Sequence, residues 1–304
     1  MHAQLATFET LEGRQLLSAA VFAPHSVVNG RTLEDWSAAI WQKVFSIPVF
    51  DHDGTTIVNP MFDEAPDHAL PANGNVWFLF GSFFGGDHQR AVRVPEKTPL
   101  FVPLINSEWS NPDTPAAPDF MTLPGNHTAA QLANFAAIEA NAVDQLQASL
   151  DGQPIPNLFS HRETSPTFSY QLPRRNNIDQ VFFGEDIWGR QYPAAADGFY
   201  LMLQPLSRGQ HTLSFSGHIP DLSATPPLLG EFDFSMTYVI DVVRKNELHQ
   251  RSTRQSQPVG KTDLAEGMSM DSPARLFGAT QMHWSDDQTS SNHLIDQIEQ
   301  LVEA

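Results

Sequence analysis

Four aspartates between residues 51 and 67 have the side chains and the spacing to bind a hard cation. Asp51 and Asp53 precede Gly54, and Asp63 and Asp67 follow in the same loop-like stretch. Carboxylate oxygens on a turning backbone are ligands that Ca²⁺ prefers. An EF-hand loop is excluded, because its twelfth position would hold a phenylalanine where a bidentate acid is required. The pattern therefore predicts either a looser Ca²⁺ site, with Ca²⁺ as the one candidate cofactor, or a solvated acidic loop.

Histidines offer a second kind of chemistry, because imidazole can bind a metal or act as a general base. Four of the twelve lie beside predicted strands and turns, namely His68, His88, His211 and His218. No His-x-His or His-Glu-x-x-His spacing occurs, so no metal motif supports them. A secreted hydrolase of extracellular polymers with a His/Asp site is kept as the alternative function.

Aromatic side chains in loop-like surroundings suggest a binding surface. Trp109, Trp188 and Tyr192 lie among Asn, Pro and Gly residues, where exposed rings could stack on sugar rings. Tryptophans in such loops also commonly close the end of a sandwich core. The sequence predicts these three residues as ligand-binding candidates and leaves the packing alternative open.

Other catalytic arrangements find no support. No Gly-x-Ser-x-Gly elbow and no lysine-containing phosphate loop is present. The absence of cysteine removes thiolate catalysis and zinc–thiolate sites. Glu185, Asp186, Glu231 and Asp233 could form the paired acids of a glycosidase, but the sequence does not show which of them face each other. No catalytic residue is predicted, and the protein is expected to be non-enzymatic.

Charge and composition narrow the choice of partners. The 304 residues carry 35 acidic against 17 basic side chains, a formal net charge of −18. An acidic surface repels the phosphate backbone, so nucleic acid is excluded as a partner. No run of 18 apolar residues exists, so no membrane span is predicted. The 21 Phe and 23 Pro favour strands and stiff loops over a helical bundle.

Two helices are predicted to accompany the strands. Residues 32–47 begin with Thr32 and Asp35 in a capping-box position, and Trp36 and Trp41 lie on the apolar stripe as core anchors. Residues 128–150 form the second predicted helix, which begins at a threonine cap and ends at an Asp-Gly pair.

Alternating apolar residues predict the strands. The clearest case is 232–243, where Phe, Met, Tyr, Ile and Val occupy every second position. Segments 76–80 and 91–94 flank a Gly-Gly-Asp turn, which predicts antiparallel pairing between them. Pro103, in the strand 100–106, is expected at an edge or a bulge because it cannot donate to the ladder. Further strands are predicted at 167–172, 199–203 and 211–216.

Two parts of the sequence resemble known exported proteins, and both resemblances bear on the cellular location of the protein. Residues 8–19 read F-E-T-L-E-G-R-Q-L-L-S-A and resemble the N-terminal sorting segment F-E-x-L-E-x-R-x-L-L-S-A of exported planctomycete-type proteins. Residues 36–243, with Trp-Gln-Lys-Val-Phe-Ser-Ile-Pro at 41–48 and Val-Pro-Glu-Lys-Thr-Pro-Leu-Phe-Val-Pro at 94–103, are similar to an uncharacterised family of secreted bacterial β-rich proteins. Both resemblances imply export, and neither implies an activity. Family members often carry two cysteines at the positions of His68 and Val92, so a disulfide between those loops is not expected here.

These observations predict a mainly β protein: an antiparallel, jelly-roll-like β-sandwich with two accessory α-helices. The expected organisation is a sorting segment at 1–20, the sandwich at 21–245, and a polar linker with a short C-terminal helix at 246–304. The expected function is an exported binding or structural module at the cell surface, in the periplasm or outside the cell. Extracellular polysaccharide or cell-surface components are its expected partners.

Overall fold

The computed structural model describes residues 20–111, 127–183, 186–222 and 230–248. The predicted sorting segment at 8–19 and the predicted C-terminal helix lie outside these residues. The described elements include three α-helices, α1 (Leu33–Phe45), α2 (Ala129–Ala142) and α3 (Ile178–Phe183), and 3₁₀ helices at Leu158–His161 and Lys245–Glu247. The strands are β1 (Val27–Val28), β2 (Arg31–Thr32), β3 (Ala69–Pro71), β4 (Trp77–Leu79), β5 (Gly86–Pro95), β6 (Leu100–Ser110), β7 (Gln145–Leu150), β8 (Gln153–Pro154), β9 (Arg162–Thr164), β10 (Phe168–Leu172), β11 (Gly189–Leu203), β12 (Gly209–Ile219) and β13 (Phe232–Val243).

Strands β3–β13 form a sandwich of two sheets, and β1 and β2 pair in a separate two-stranded sheet, which confirms the predicted mainly β fold. The first sheet has the order β10-β11-β6-β4-β3, with β9 also paired to β11, and the second has the order β5-β13-β12-β7-β8. Most ladders are antiparallel, but β4–β6 and β5–β13 are parallel. None of the helices within the described residues is long and apolar enough to cross a membrane.

The predicted hairpin between residues 76–80 and 91–94 is wrong. Strand β4 pairs with β6 in the first sheet, whereas β5 pairs with β13 in the second. The chain therefore crosses from one sheet to the other where a reversal was expected. Glycines between two apolar strands allow either path, and the core residues available to each strand decide which one is taken.

The buried apolar side chains show how the two sheets and helix α1 pack together. Between the sheets, apolar side chains from both inner faces pack together, with β13 supplying Phe234, Met236, Tyr238, Ile240 and Val242. This alternation confirms the predicted strand at 232–243. The opposite face of the first sheet packs against α1. Residues 194–203 of β11 are consequently buried on both faces, as expected of a central strand.

Helix α1 forms as predicted, and α2 is shorter than predicted. The hydroxyl of Thr32 accepts from the Asp35 amide, the Asp35 carboxylate accepts from the Thr32 amide, and Trp36 and Trp41 are buried. The prediction of one helix over 128–150 is wrong, because α2 ends at Ala142 and residues 145–150 form β7, which pairs with β12. Long-range pairing to β12 outweighs the local helix signal there.

A one-residue bulge in β6 sets which way its second half faces. The register with β11 passes from Phe199 opposite Ile105 directly to Tyr200 opposite Pro103, so Leu104 is the extra residue. Pro103 thus lies at a bulge, as predicted. Because side chains alternate along a strand, the extra residue places Leu104 and Ile105 in the same core cluster and reverses the facing of every residue after it.

Candidate functional site

The outer face of the β10–β11 ribbon carries a stripe of exposed aromatic and arginine side chains. Trp188, Arg190 and Tyr192 project to solvent at alternate positions, and the exposed fractions of Trp188 and Tyr192 are 53% and 54%. Ile187 and Gln191 point to the other side and are buried. Alternation along the strand therefore presents both rings on one face. We call Trp188, Arg190 and Tyr192, with Arg174, the aromatic–arginine stripe.

Each ring of the stripe is backed by a guanidinium group. The Arg174 guanidinium carbon lies 5.6 Å from the centroid of the Trp188 ring, and that of Arg190 lies 5.6 Å from the centroid of Tyr192. Cation–π attraction holds such planar groups against each other. The stripe therefore presents two exposed rings and two positive charges at the start of β11.

The stripe is rigid because its other face is packed. On β10, Phe168, Tyr170 and Leu172 are buried in the core cluster that contains α1. The Phe45 and Tyr170 rings have centroids 4.3 Å apart, and Ser110 and Tyr170 hydroxyls lie 2.8 Å apart. Packed strands position binding groups more precisely than loops do.

Trp109 is not available to a ligand, which corrects its prediction as a binding residue. It lies on the second half of β6, is 1% exposed, and packs against Phe135 of α2 with ring centroids 5.4 Å apart. Its indole N–H donates to the Glu139 carboxylate at 3.3 Å. The bulge at Leu104 reverses the facing of this half of β6, so the tryptophan is placed under the helix.

The four predicted calcium ligands do not converge. Among the described residues, the one group of acidic and histidine side chains close enough to hold a metal contains none of these aspartates. The carboxylate of Asp53 accepts from the hydroxyl and backbone of Thr56 and the backbone of Thr55, which lowers the pKa of Asp53 to about 2. Asp63 pairs instead with Arg90, at 2.8 Å. These internal partners occupy the carboxylates, so a calcium site built from Asp51, Asp53, Asp63 and Asp67 is not supported.

The four candidate histidines lie in three different places: His68 and His88 both lie near Asp63, whereas His211 and His218 each pair with another carboxylate. His88 pairs with Asp63 at 2.6 Å, and His218 pairs with Asp144 at 2.6 Å. His68 is 7% exposed and lies 3.1 Å from the Pro60 carbonyl through its Nδ1 atom. They do not assemble one catalytic centre.

His211 has the connections of a serine-hydrolase histidine but the wrong proton arrangement. Its Nδ1 atom lies 2.7 Å from an Asp151 carboxylate oxygen, and its Nε2 atom lies 3.3 Å from the Ser207 hydroxyl and 2.9 Å from the Ser207 carbonyl. Burial lowers the pKa of His211, but the Asp151 carboxylate and Ser207 carbonyl outweigh it and raise this pKa. A carbonyl oxygen can only accept a hydrogen bond, so the Nε2 atom that faces the Ser207 carbonyl at 2.9 Å is oriented to donate and not to take a proton from the serine hydroxyl.

Two concave regions provide no reaction chamber. One, beside Trp41, Met61 and Asn106, encloses about 50 Å³. The other is a shallow groove beside Phe159 and Asn157. No titratable side chain among the described residues lines either region. Neither has the convergent acid and base groups that define an active site.

Buried His68 gives a pH prediction with a defined sign. Burial, with a contribution from the positive charge of Arg90, holds the pKa of His68 below its ordinary value of 6.5. The unfolded chain then binds more protons below that value, so stability present above pH 6.5 is lost as the pH falls. We expect the urea midpoint to fall less between pH 7.5 and 5.5 in His68→Leu than in the wild type. Equal falls would contradict the prediction.

His218 provides a control in which stability is expected to change with pH in the opposite direction. Its pKa is raised by hydrogen bonds to the carboxylates of Asp144 and Glu231. Its contribution to stability is therefore present below pH 6.5 and lost as the pH rises through the folded pKa. In His218→Asn, the urea midpoint should fall at least as steeply on acidification as it does in the wild type.

Sequence reasoning missed the arginines of the stripe. Arg174 and Arg190 were not singled out, although Arg190 stands between Trp188 and Tyr192 at the same strand parity. The occurrence of Trp188, Arg190 and Tyr192 at every second position could have identified Arg190 as part of the same exposed surface. The facing of the ribbon could not be known, because the register between β10 and β11 shifts between Phe168 and Tyr170.

Comparisons with known proteins add no functional argument. No family model matches the chain, and no curated protein matches it. Among solved structures, the chain is similar to a cysteine protease inhibitor from Entamoeba histolytica, at 10% identity, covering 52% of this chain and 88% of that one. Its TM-score of 0.18 is too low to support an inference about fold or function.

Proposed function

We propose that this protein is an exported, non-enzymatic binding module that holds an anionic polysaccharide on the aromatic–arginine stripe. The observation that carries the proposal is the exposure of Trp188, Arg190 and Tyr192 at alternate positions where β11 begins. Aromatic faces stack on the apolar faces of sugar rings, and guanidinium groups pair with carboxylates or sulfates. Export is inferred from the sorting segment at 8–19 and the resemblance to secreted proteins.

The size of the stripe favours a thin polymer over a protein partner. Aromatic side chains present about 150–250 Å² each when fully exposed, so two half-exposed rings offer about 200 Å². A specific protein–protein interface buries about 800 Å² per partner. Among the described residues, the other large exposed apolar side chains, Val27 and Phe159, lie on other elements of the fold. Two exposed rings of this small combined area suit a few consecutive sugar rings better than a protein surface.

The charge of the stripe favours an acidic polymer. The full chain has a net charge of −18, which disfavours the approach of polyanions in general. Arg174 and Arg190 provide a local positive field where both are held in place by ring contacts. Binding should therefore require this surface and weaken as salt screens it.

Removing either ring should weaken binding. We expect Trp188→Ala and Tyr192→Ala each to reduce affinity for polygalacturonate about tenfold, or about 1.4 kcal/mol, because each removes a stacking surface. Affinity electrophoresis and calorimetry on the full chain would measure this change. Arg190→Gln should also weaken binding and reduce its salt dependence.

Phe159 provides the matched control. It is 51% exposed but lies on the 3₁₀ helix Leu158–His161, so Phe159→Ala should bind as the wild type does. Equal retention on neutral dextran would exclude recognition of charge. No retention on acidic polymers, or loss in Phe159→Ala alone, would refute the proposed site and direct attention to a protein partner.

A further inference from the structure

A fully buried carboxylate on β9 is held by a single histidine. The side chain of Glu163 is 0% exposed, and its two oxygens accept from the backbone N–H and the Nδ1 atom of His25, each at 2.9 Å. Its chain neighbour Arg162 pairs with Asp197 instead. No lysine or arginine of the described residues forms an ion pair with Glu163. A buried carboxylate without a permanent cation is costly, so this position favours a bound positive ion.

A third ligand reaches the same point from α1. The Nδ1 atom of His25 lies 3.8 Å from a carboxylate oxygen of Glu34, and the ligand atoms of His25, Glu34 and Glu163 lie within 4.8 Å of one another. With metal–ligand distances near 2.1 Å, neighbouring ligand atoms stand about 3.0–3.4 Å apart in octahedral or tetrahedral sites. The observed separations of 2.9 and 3.8 Å bracket that range.

The backbone at His25 supports a built site. His25 has a φ of +57°, a left-handed conformation that non-glycine residues adopt uncommonly. This conformation directs its N–H and its ring to the same carboxylate. Three segments distant in sequence therefore meet there: the chain before α1, the first turn of α1, and β9.

One buried imidazole close in sequence has no partner. His161, the last residue of the 3₁₀ helix Leu158–His161, is 7% exposed, and its Nδ1 atom has no hydrogen-bond partner among the described residues. It precedes Glu163 by two residues in the chain. The ligand atoms that converge within 4.8 Å come from His25, Glu34 and Glu163, so these three residues define the site.

We propose that His25, Glu34 and Glu163 form a Zn²⁺ site that ties the segment before α1 to β9. Imidazole together with carboxylate suits Zn²⁺, whereas Ca²⁺ and Mg²⁺ prefer all-oxygen sets. The site differs from the aspartate loop at 51–67 in both residues and ion. It is independent of the proposed polysaccharide function, because none of its ligands belongs to the aromatic–arginine stripe.

Calorimetric titration of the chelator-treated full chain with ZnCl₂ at pH 7.5 tests the site. We expect one tight site in the wild type and affinity at least about 100-fold weaker in His25→Asn and in Glu34→Gln. The side chains of His25 and Glu34 are 64% and 43% exposed, so both variants should fold, as circular dichroism would verify. No Zn²⁺ binding by the wild type, or undiminished binding by either variant, would overturn the proposal.

His218→Asn is the matched control. His218 also contacts two acids, Asp144 at 2.6 Å and Glu231 at 3.2 Å, but it does so through opposite ring nitrogens, which cannot share one ion. This variant should keep wild-type Zn²⁺ affinity, and a comparable loss would place the site elsewhere and overturn the assignment. CaCl₂ titrated in parallel should bind more weakly than Zn²⁺ at the same site. Tighter Ca²⁺ binding, abolished by His25→Asn, would refute the choice of ion.

Discussion

Replacing Arg90 by leucine should lower the free energy of unfolding by about 3–5 kcal/mol. The Arg90 guanidinium is buried, and its Nη1 atom donates to the carbonyls of Pro60, Phe80 and Gly81 at 3.1, 2.9 and 2.7 Å. It also pairs with Asp63 at 2.8 Å. Leucine would remove the charged donor from all three carbonyls, and hydrogen bonds to a charged group are the costly ones to lose.

The large effect comes from where these partners lie. Arg90 belongs to β5 of the second sheet, whereas Phe80 directly follows β4 of the first, so one side chain links the two sheets and the loop at 59–63. The Tyr238 hydroxyl of β13 donates to the same Phe80 carbonyl, which joins a third strand to the network. Arg90→Lys should recover little, because an ammonium group cannot reproduce the planar fork of donors.

Urea denaturation would measure this change, with Arg93→Leu as the control. Arg93 lies on the same strand and pairs with Asp241 at 3.2 Å, but both side chains are partly exposed to solvent. Exposed pairs contribute about 0–1 kcal/mol, so the control should lose no more than that. Similar losses in the two variants would show that the Arg90 network does not hold the sheets together.

Replacing Gly198 by alanine should destabilise the fold by about 3 kcal/mol or more. A Cβ atom at this position would lie 2.4 Å from the Asn106 Cβ, 2.5 Å from its Cα and 2.6 Å from the Ile105 carbonyl oxygen. Two of these are backbone atoms of β6, a strand fixed between β11 and β4. Relief therefore requires the strands to separate or the register to change.

Gly198 is also paired on its other side, with Glu163 of β9. A shift of β11 away from β6 would thus disturb β9 as well. Gly81→Ala is the matched control, since a Cβ there meets no atom nearer than the Pro103 ring carbon at 4.0 Å. Thermal unfolding should show a large fall in Tm for Gly198→Ala and little change for Gly81→Ala. A neutral Gly198→Ala would contradict the close approach of β6 and β11.

The fold class and the first helix could be predicted from local pattern alone. Apolar residues occupy every second position of strand β13 from Phe232 to Val242, with mostly polar residues between them, and this period of two predicts a strand with one buried face. Helix α1 begins at a capping box formed by Thr32 and Asp35, two side chains close in sequence that satisfy each other's backbone. Such signals are complete within a few residues.

Predictions failed where long-range pairing decided the outcome. Residues 145–150 have acceptable helical composition, yet their backbone pairs with β12, more than sixty residues away. The turn after β4 was expected to return the chain to the same sheet, whereas β5 found its partner in β13 at the end of the domain. Neither partner strand can be identified from residues that are close in sequence.

The residues of the candidate site were likewise predicted only in part from the sequence. Residue type alone selected Trp109, Trp188 and Tyr192, but only the sheet register separated the buried tryptophan from the two exposed rings. The arginines that back those rings entered with the tertiary structure. So did the cluster of His25, Glu34 and Glu163, whose members are up to 138 residues apart.

The amino-acid sequence by itself determined that this chain forms a mainly β structure with a capped first helix, because hydrophobic period and capping act over one or two turns of chain. Residues 8–19 resemble a sorting segment, and export of the protein stays a prediction from that resemblance. The tertiary structure decided which strands share a sheet, which tryptophan meets solvent, and which ionisable groups meet. Those outcomes depend on register, and one inserted residue such as Leu104 reverses the facing of half a strand.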